Sequence, residues 1–180
     1  MLPTPPEGLR HWRPEDAPAL AAAWADPAIT RWNPPPPDLD AAAWIAGVEE
    51  RWARRLALDL VIEPWAERAD RRAASTEWKE RTDRRAGVAG EVGLSGFTTD
   101  PARAELGVWV AAEHRRSGLA SAAVDAVTRW ALTDLGLDQL WARTDRANGP
   151  AKALFARLGW QRLGESGGRS IWSATRALLR

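Results

Sequence analysis

The chain has 180 residues, of which 45% are hydrophobic and 27% charged, and its formal net charge is +1 at pH 7. This composition is typical of a globular protein, and so small a net charge gives no long-range attraction to nucleic acid or anionic membranes, neither of which we expect as a partner. The absence of cysteine excludes disulfides, thiolate metal sites and a cysteine nucleophile.

Targeting and metal-binding signals are also missing. The proline-rich start has neither the basic nor the apolar region of a signal peptide, and no apolar run approaches membrane-spanning length. We therefore expect a cytoplasmic protein. The two histidines, His11 and His114, lack the spacing of a metal-binding pair, so no metal is expected.

The first third of the chain is predicted to form a strand and two amphipathic helices. Residues 9–13 alternate as a short strand, and Asp16 is placed to cap the first helix. Asp38 or Asp40 caps the second. The stiff proline run at 34–37 favours a rigid connector over a docking site for a proline-recognition module.

A hairpin with a long insertion is predicted next. Residues 56–63 and 88–97 have the aliphatic content of paired strands. The connection at 64–86 is densely charged and far exceeds the usual hairpin loop of about 2–5 residues. We interpret it as a solvated insertion, with a regulatory or partner-binding hairpin and RNA contact through its arginines as the alternatives.

The centre of the chain combines a strand, a basic turn and a helix. Residues 104–110 alternate as a strand, and helical spacing of apolar residues begins at Leu119. The turn between them contains Arg115, Arg116 and Gly118. Free N–H groups and the helix dipole favour pyrophosphate binding there. The chain contains neither G-x-G-x-x-G nor G-x-x-x-x-G-K-[ST], which counts against dinucleotide and nucleoside-triphosphate binding.

The remaining elements complete an α/β pattern. Residues 139–143 are predicted to form a strand, Asn148 caps a helix that ends at Gly159, and residues 160–163 and 169–175 form a final hairpin. No internal repeat or second composition regime is present. We expect residues 1–180 to form one domain with a mixed sheet flanked by helices.

Two motifs resemble those of the GNAT superfamily of acyl-CoA-dependent N-acyltransferases. Arg115, Gly118 and Ala120 occupy the defining places of its R/Q-x-x-G-x-G/A segment, and residues 148–160 are similar to its N-x-x-A-x-x-[LF]-[YF]-x-x-L-G-[FW] helix. Asp26-Pro27 and Trp32-Asn33-Pro34 are also similar to the ribosomal-protein-alanine acetyltransferase subgroup. The resemblance implies a mostly antiparallel mixed sheet, splayed at its central strands, and acetyl-CoA as co-substrate.

The resemblance also implies a set of residues that bind acyl-CoA. They are Val108, Val110, Arg115, Arg116, Ser117, Gly118, Leu119, Ala120, Ser121, Asn148 and Phe155. The amides of Val108 and Val110 would pair with the pantetheine arm. Phe155 stands where many relatives carry a tyrosine that protonates the leaving thiolate. Because the chain contains no tyrosine, this general acid is unidentified and bulk water is the remaining candidate.

Glu105 is the candidate general base, because an amine that is protonated near pH 7 must lose a proton before it attacks a thioester. Members of the family often carry a catalytic glutamate on this strand. A surface carboxylate at a strand end is the alternative interpretation, and His114 is a second candidate base because histidine is a common acid–base residue. Ala151 stands where the ribosomal-protein subgroup often has serine, which counts against a ribosomal substrate.

We therefore expect an N-acetyltransferase that transfers acetyl from acetyl-CoA to a primary amine by direct attack in a ternary complex. The alternative is a non-catalytic acyl-CoA-binding or regulatory module of the same fold. The acceptor is left open among protein N-termini and small molecules such as a polyamine, an aminoglycoside or an amino acid. A homodimer is also left open.

Overall fold

Seven strands form one sheet in the computed structural model, which describes residues 1–64, 87–99 and 102–179. The strands are β1 Leu9–His11, β2 Ala57–Ile62, β3 Gly90–Thr99, β4 Ala102–Val110, β5 Gln139–Asp145, β6 Gln161–Ser166 and β7 Arg169–Thr175. Their order across the sheet is β1-β2-β3-β4-β5-β7-β6, and only β4 and β5 run parallel. The predicted mixed, mostly antiparallel sheet is therefore confirmed.

Helices lie on both faces of the sheet. They are α1 Ala17–Ala25, α2 Pro27–Thr30, α3 Ala41–Ala46, α4 Val48–Ala53, α5 Leu119–Thr133 and α6 Gly149–Arg157, with 3-10 turns at Pro14–Asp16, Ala112–His114 and Arg176–Leu179. The second predicted helix is interrupted at Gly47, which separates α3 from α4. Asp40 caps α3 by accepting a hydrogen bond of 2.7 Å from the Ala43 N–H.

Asp16 differs from its predicted role. It precedes α1, but its side chain makes no capping hydrogen bond to that helix. Its carboxylate instead accepts two hydrogen bonds from the buried Arg10, at 2.6 and 2.8 Å, and one from the Arg13 N–H. Leaving a buried guanidinium without a carboxylate partner is costly, whereas water can bind an exposed N–H at the start of α1. The Asp16 side chain therefore pairs with Arg10 and does not cap the helix.

Alternation along β4 sends its side chains into two separate cores. Leu106 packs with α5 residues such as Ala123 and Val127 on one face of the sheet. Trp109 packs on the opposite face with Leu20 of α1 and other residues of the N-terminal helices. The period of two in the strand and the apolar stripe of α5 account for this layering.

The free edge of β4 faces a gap in the centre of the sheet. β4 and β5 pair at Arg103↔Gln139, Ala104↔Leu140 and Glu105↔Trp141, and the strands separate beyond Glu105. The Ala111 N–H donates to the Ala89 carbonyl at 2.9 Å. Because backbone groups alternate in direction along a strand, Trp109 and Gly107 also direct their N–H and carbonyl groups toward β3. Val108 and Val110 direct theirs the other way, into the gap. The predicted central splay is confirmed.

The strands that flank the predicted insertion pair as a hairpin. β2 and β3 are antiparallel from Ala57↔Ser95 to Ile62↔Gly90. Of the insertion itself, residues 65–86 lie outside the described residues. Among the described residues, no helix combines the length and apolar character needed to cross a membrane.

Candidate active site

A cavity of about 800 Å³ opens at the free edge of β4, beside α2 and the N-termini of α5 and α6. The predicted acyl-CoA residues that line it are Val108, Val110, Arg115, Arg116, Gly118, Leu119, Ala120, Ser121 and Asn148. The fold thus brings together two motifs that are about thirty residues apart in the sequence. Only Ser117 and Phe155 of the predicted set are not in this lining.

The turn before α5 presents backbone N–H groups to the cavity. The first intrahelical bond of α5 runs from the Ala122 N–H to the Gly118 carbonyl, so the preceding N–H groups of Leu119–Ser121 have no partner within the helix. Gly118 has φ +87, a conformation that glycine adopts without strain. A Cβ at Gly118 would meet nothing within 4 Å. The turn therefore has both the donors and the open space that a phosphate group needs.

Arginines supply positive charge around this turn. Arg115 donates from Nε to the Val110 carbonyl at 2.9 Å and from Nη2 to Asp26 at 3.1 Å, so its charge is offset by a carboxylate. Arg157, at the end of α6, donates to the Ser121 hydroxyl at 2.5 Å and also lines the cavity. The sequence motif leaves position 157 unspecified, so sequence reasoning did not find this residue.

Two predicted residues make contacts elsewhere. The Ser117 hydroxyl donates to the His114 carbonyl and closes the turn. The Phe155 ring is 3% exposed and packs against Trp160 and Trp172, with ring centroids 4.8 and 6.1 Å apart. Its contact with acyl-CoA stays a prediction. Asn148 caps α6 by accepting from the Ala151 N–H at 3.2 Å while lining the cavity.

A second cavity, of about 260 Å³, lies on the face of the sheet that the N-terminal helices α1 and α3 cover. Its walls include Trp24, Trp44 and the proline run at Pro34–Pro36, which thereby gains a structural role. The residues that line both cavities are Ile29, Asn33, Val108 and Trp109. The two cavities are thus neighbours along the part of β4 that lies beyond its last residue pair with β5.

Two carboxylates line the smaller cavity, and neither was singled out from the sequence. Asp59 of β2 is 9% exposed and lies 3.4 Å from Arg51. Burial raises the pKa of Asp59 to about 6, against the opposing effect of Arg51. Burial, and then the charge of Asp59, raise the pKa of Glu91 well above its ordinary value. An acidic residue inside an otherwise apolar strand was the available sequence signal for both.

Glu105, the predicted base, lies in neither cavity lining. Arg143 of β5 donates to both of its oxygens, from Nε and from Nη2, each at 2.8 Å. Its catalytic role stays a prediction. Among the described residues, no group of three or more histidine or acidic side chains is arranged to hold a metal ion.

Comparison with solved structures identifies the fold. The chain is 22% identical to Mycobacterium smegmatis RimJ in complex with CoA-disulfide, with a TM-score of 0.71 over 95% of this chain and 82% of that one. It is 14% identical to Vibrio cholerae spermidine N-acetyltransferase in complex with CoA and spermine, with a TM-score of 0.71 over 96% and 97%. The ribosomal-protein-S5-alanine acetyltransferase of Vibrio fischeri is 17% identical, with a TM-score of 0.71 over 93% and 91%.

These identities are low enough that the likeness concerns the fold and does not select an acceptor. A search of the curated proteins found no match to this sequence. The sequence profile of the acetyltransferase (GNAT) domain matches residues 8–161, which is most of the chain. The prediction from the two motifs is thus confirmed, and the chain belongs to the GNAT family of acyl-CoA-dependent N-acetyltransferases, which use acetyl-CoA as co-substrate.

Proposed function

We propose that this protein acetylates a primary amine, with acetyl-CoA in the larger cavity and the amine in the smaller one. The observation that carries the proposal is their shared wall at Val108 and Trp109, beside the gap between β4 and β5. An acyl group lying along the β4 edge would reach this wall from one side, and an acceptor would reach it from the other.

The larger cavity has the chemistry that coenzyme A requires. The N–H groups of Leu119–Ser121 would bind the pyrophosphate, with Arg116 and Arg157 supplying charge. The backbone of Val108 and Val110 would pair with the amides of the pantetheine arm, as a peptide pairs with the edge of a sheet. Arg115 would contribute less charge to the pyrophosphate than Arg116 or Arg157, because its guanidinium is bound to Asp26 and to the Val110 carbonyl.

Transfer would proceed by direct attack of the amine on the thioester. The protonated amine first loses one proton, and the neutral nitrogen then bonds to the acetyl carbon. A backbone N–H that is directed into the gap and is not paired with the pantetheine arm would stabilise the oxyanion. The carbon–sulfur bond then breaks. The nitrogen loses its second proton, and the departing thiolate takes up one proton and leaves as the thiol. The chain offers no cysteine for a covalent acyl-enzyme.

The acceptor class follows from the size and the lining of the smaller cavity. Its volume of about 260 Å³ suits a small amine or the end of a longer one. Among the structural neighbours, spermidine N-acetyltransferase was crystallised with spermine, and others are ribosomal-protein acetyltransferases. We propose a small-molecule amine as the acceptor and a protein N-terminus as the second candidate.

An acceptor screen tests the function. Purified protein would be incubated with acetyl-CoA and single amines, with free thiol followed spectroscopically and the product identified by mass spectrometry. We expect thiol release that depends on an alkylamine and acetyl transfer to its nitrogen. Tight CoA binding by calorimetry without release in the presence of any amine would contradict the transferase proposal and favour a non-catalytic acyl-CoA-binding module.

A further inference from the structure

The smaller cavity contains two carboxylates that approach each other across neighbouring strands. Glu91 of β3 pairs in register with Val61 of β2, and Asp59 lies two residues before Val61. Residues two apart on a strand point to the same face, so both carboxylates point to the side where the cavity lies. Both are part of its lining.

The floor of this cavity is kept open by glycine. A Cβ at Gly93 would lie 2.8 Å from the Asp59 Oδ1, so a side chain there would displace the carboxylate. A Cβ at Gly107 would meet nothing within 4 Å, which leaves space above the residue that precedes Val108. A ligand resting on Gly107 would therefore lie beside the wall that the two cavities share.

The side walls are aromatic. Trp44 makes edge-on contacts with Trp12 and Trp24, with ring centroids 5.8 and 6.1 Å apart. Trp24, Trp44 and Trp109 all line the cavity. Indole faces attract cations, and more strongly where water is excluded.

The two carboxylates differ in their partners. Asp59 is paired with Arg51, whose guanidinium also lies 4.0 Å from the Trp44 ring centroid and donates to the Trp44 carbonyl at 2.7 Å. The Glu91 Oε2 is buried and lacks a hydrogen bond of good geometry among the described residues, and the nearby side chains of Trp109 and Trp12 are its neutral donors. A buried carboxylate that only neutral donors approach is costly, and a cation in the cavity would supply a charged donor.

We infer that the smaller cavity selects a compact cationic amine, whose ammonium group donates to Glu91 and transfers its first proton to that carboxylate. This inference rests on the proposed acetyl transfer. The nitrogen loses one proton to Glu91, which becomes the neutral acid, and the nitrogen lone pair then attacks the thioester. Glu91 returns its proton to solvent after the acetylated amine leaves.

The surroundings of Glu91 make it a stronger base than an exposed glutamate. Burial, and then the charge of Asp59, raise the pKa of Glu91, while a hydrogen bond from Trp109, the charge of Arg51 and a hydrogen bond from Trp12 lower it. On the same face beyond Val61, Arg10 is bound by Asp16 and lies 3.7 Å from Glu63. Amine binding and turnover should therefore decline as the pH falls and Glu91 becomes protonated.

Glu91→Gln tests the inference, with n-butylamine as the cationic probe and n-butanol as its neutral counterpart. Calorimetry on the full chain saturated with CoA should show that n-butylamine binds and n-butanol does not. Glu91→Gln should lower the affinity for n-butylamine by about tenfold or more, which corresponds to about 1.4 kcal/mol. It should leave CoA affinity unchanged. Asp125→Asn, a change of an exposed carboxylate on α5, is the matched control and should alter neither.

Turnover gives the second measurement. The rate with n-butylamine should fall by about 10²–10⁴-fold in Glu91→Gln, and the acidic limb of its pH–rate profile should disappear. Should this variant fail to fold, Gly107→Val fills the cavity without changing Glu91 and should raise the KM for n-butylamine.

Affinity and rate in Glu91→Gln within twofold of the wild type would overturn the inference, as would equal binding of n-butanol. It would likewise be overturned if CoA bound normally and no alkylamine bound. Glu91-dependent binding of n-butylamine without any turnover would support the cation site and contradict the proposed acetyl transfer.

Discussion

Glu105 and Arg143 form a bidentate ion pair that joins β4 to β5 at the end of their paired segment. Both hydrogen bonds are 2.8 Å long, and Glu105↔Trp141 is the last pair before the strands separate. A two-point contact between a guanidinium and a carboxylate fixes orientation as well as distance. The pair therefore holds the two strands together beside the gap in which we place the thioester.

We expect Glu105→Gln to act mainly on the stability of this junction. Because the Arg143 side chain is 43% exposed, solvent screens the pair, and the loss should be about 1 kcal/mol. Turnover should fall only a few-fold. Thermal denaturation and a pH–rate profile measure both effects. Arg143→Gln is the matched variant. The double variant should lose little more stability than either single variant, because each single change already breaks the pair. A fall of about 10²–10⁴-fold with loss of the acidic limb would instead establish Glu105 as the base, as the sequence predicted.

Gly118→Val should weaken CoA binding by placing a branched side chain where the pyrophosphate approaches. The same substitution at Gly136, beyond the far end of α5, is the control because its φ is also positive, at +70, and its surroundings are also open. Both variants should lose about 1–3 kcal/mol of stability from backbone strain. Calorimetry should detect weaker CoA binding only for Gly118→Val. Equal CoA affinity in the two variants would exclude this turn as the phosphate site.

Asp26→Asn should strengthen CoA binding. Asp26 offsets the charge of Arg115 at 3.1 Å, and its other oxygen caps α2 by accepting from the Ala28 N–H. Asparagine keeps an acceptor for the cap while removing the negative charge. The free energy of an exposed pair is about 1 kcal/mol at most, so the affinity should rise by up to about fivefold. The gain should shrink at high salt. A weaker affinity would mean that the ion pair is needed to shape the turn.

Asp59→Asn should stabilise the fold at neutral pH. Burial raises the pKa of Asp59 from 3.8 to about 6, so the folded state binds a proton more tightly than the unfolded state. This contribution to stability is present below pH 3.8 and is lost as the pH rises to about 6. Asparagine does not ionise, so the variant should be more stable by up to about 3 kcal/mol at pH 7.5. The difference should be small near pH 4 and vanish at about pH 3. Parallel melting curves of Asp125→Asn provide the control, and a lower melting temperature for Asp59→Asn at pH 7.5 would contradict this account.

Local features were predictable from the sequence because their chemistry is local. The glycine turn at Gly118 and the Asn148 cap each depend on a few consecutive residues, and the structure contains both. Glu91 and Asp59 come together only through the register of β2 and β3, across a long connection. Arg115 and Asp26 are likewise 89 residues apart. No periodicity in the sequence encodes such contacts, so the carboxylates of the smaller cavity emerged only from the fold.

The wall common to the two cavities has a consequence for inhibitor design. Since Val108 and Trp109 border both spaces, a thiol in one cavity and an amine in the other would contact the same two residues. A conjugate that joins the CoA sulfur to a short alkylammonium chain would place both fragments at once. The second fragment would then bind at a high effective concentration, and the conjugate should exceed either fragment in affinity by orders of magnitude.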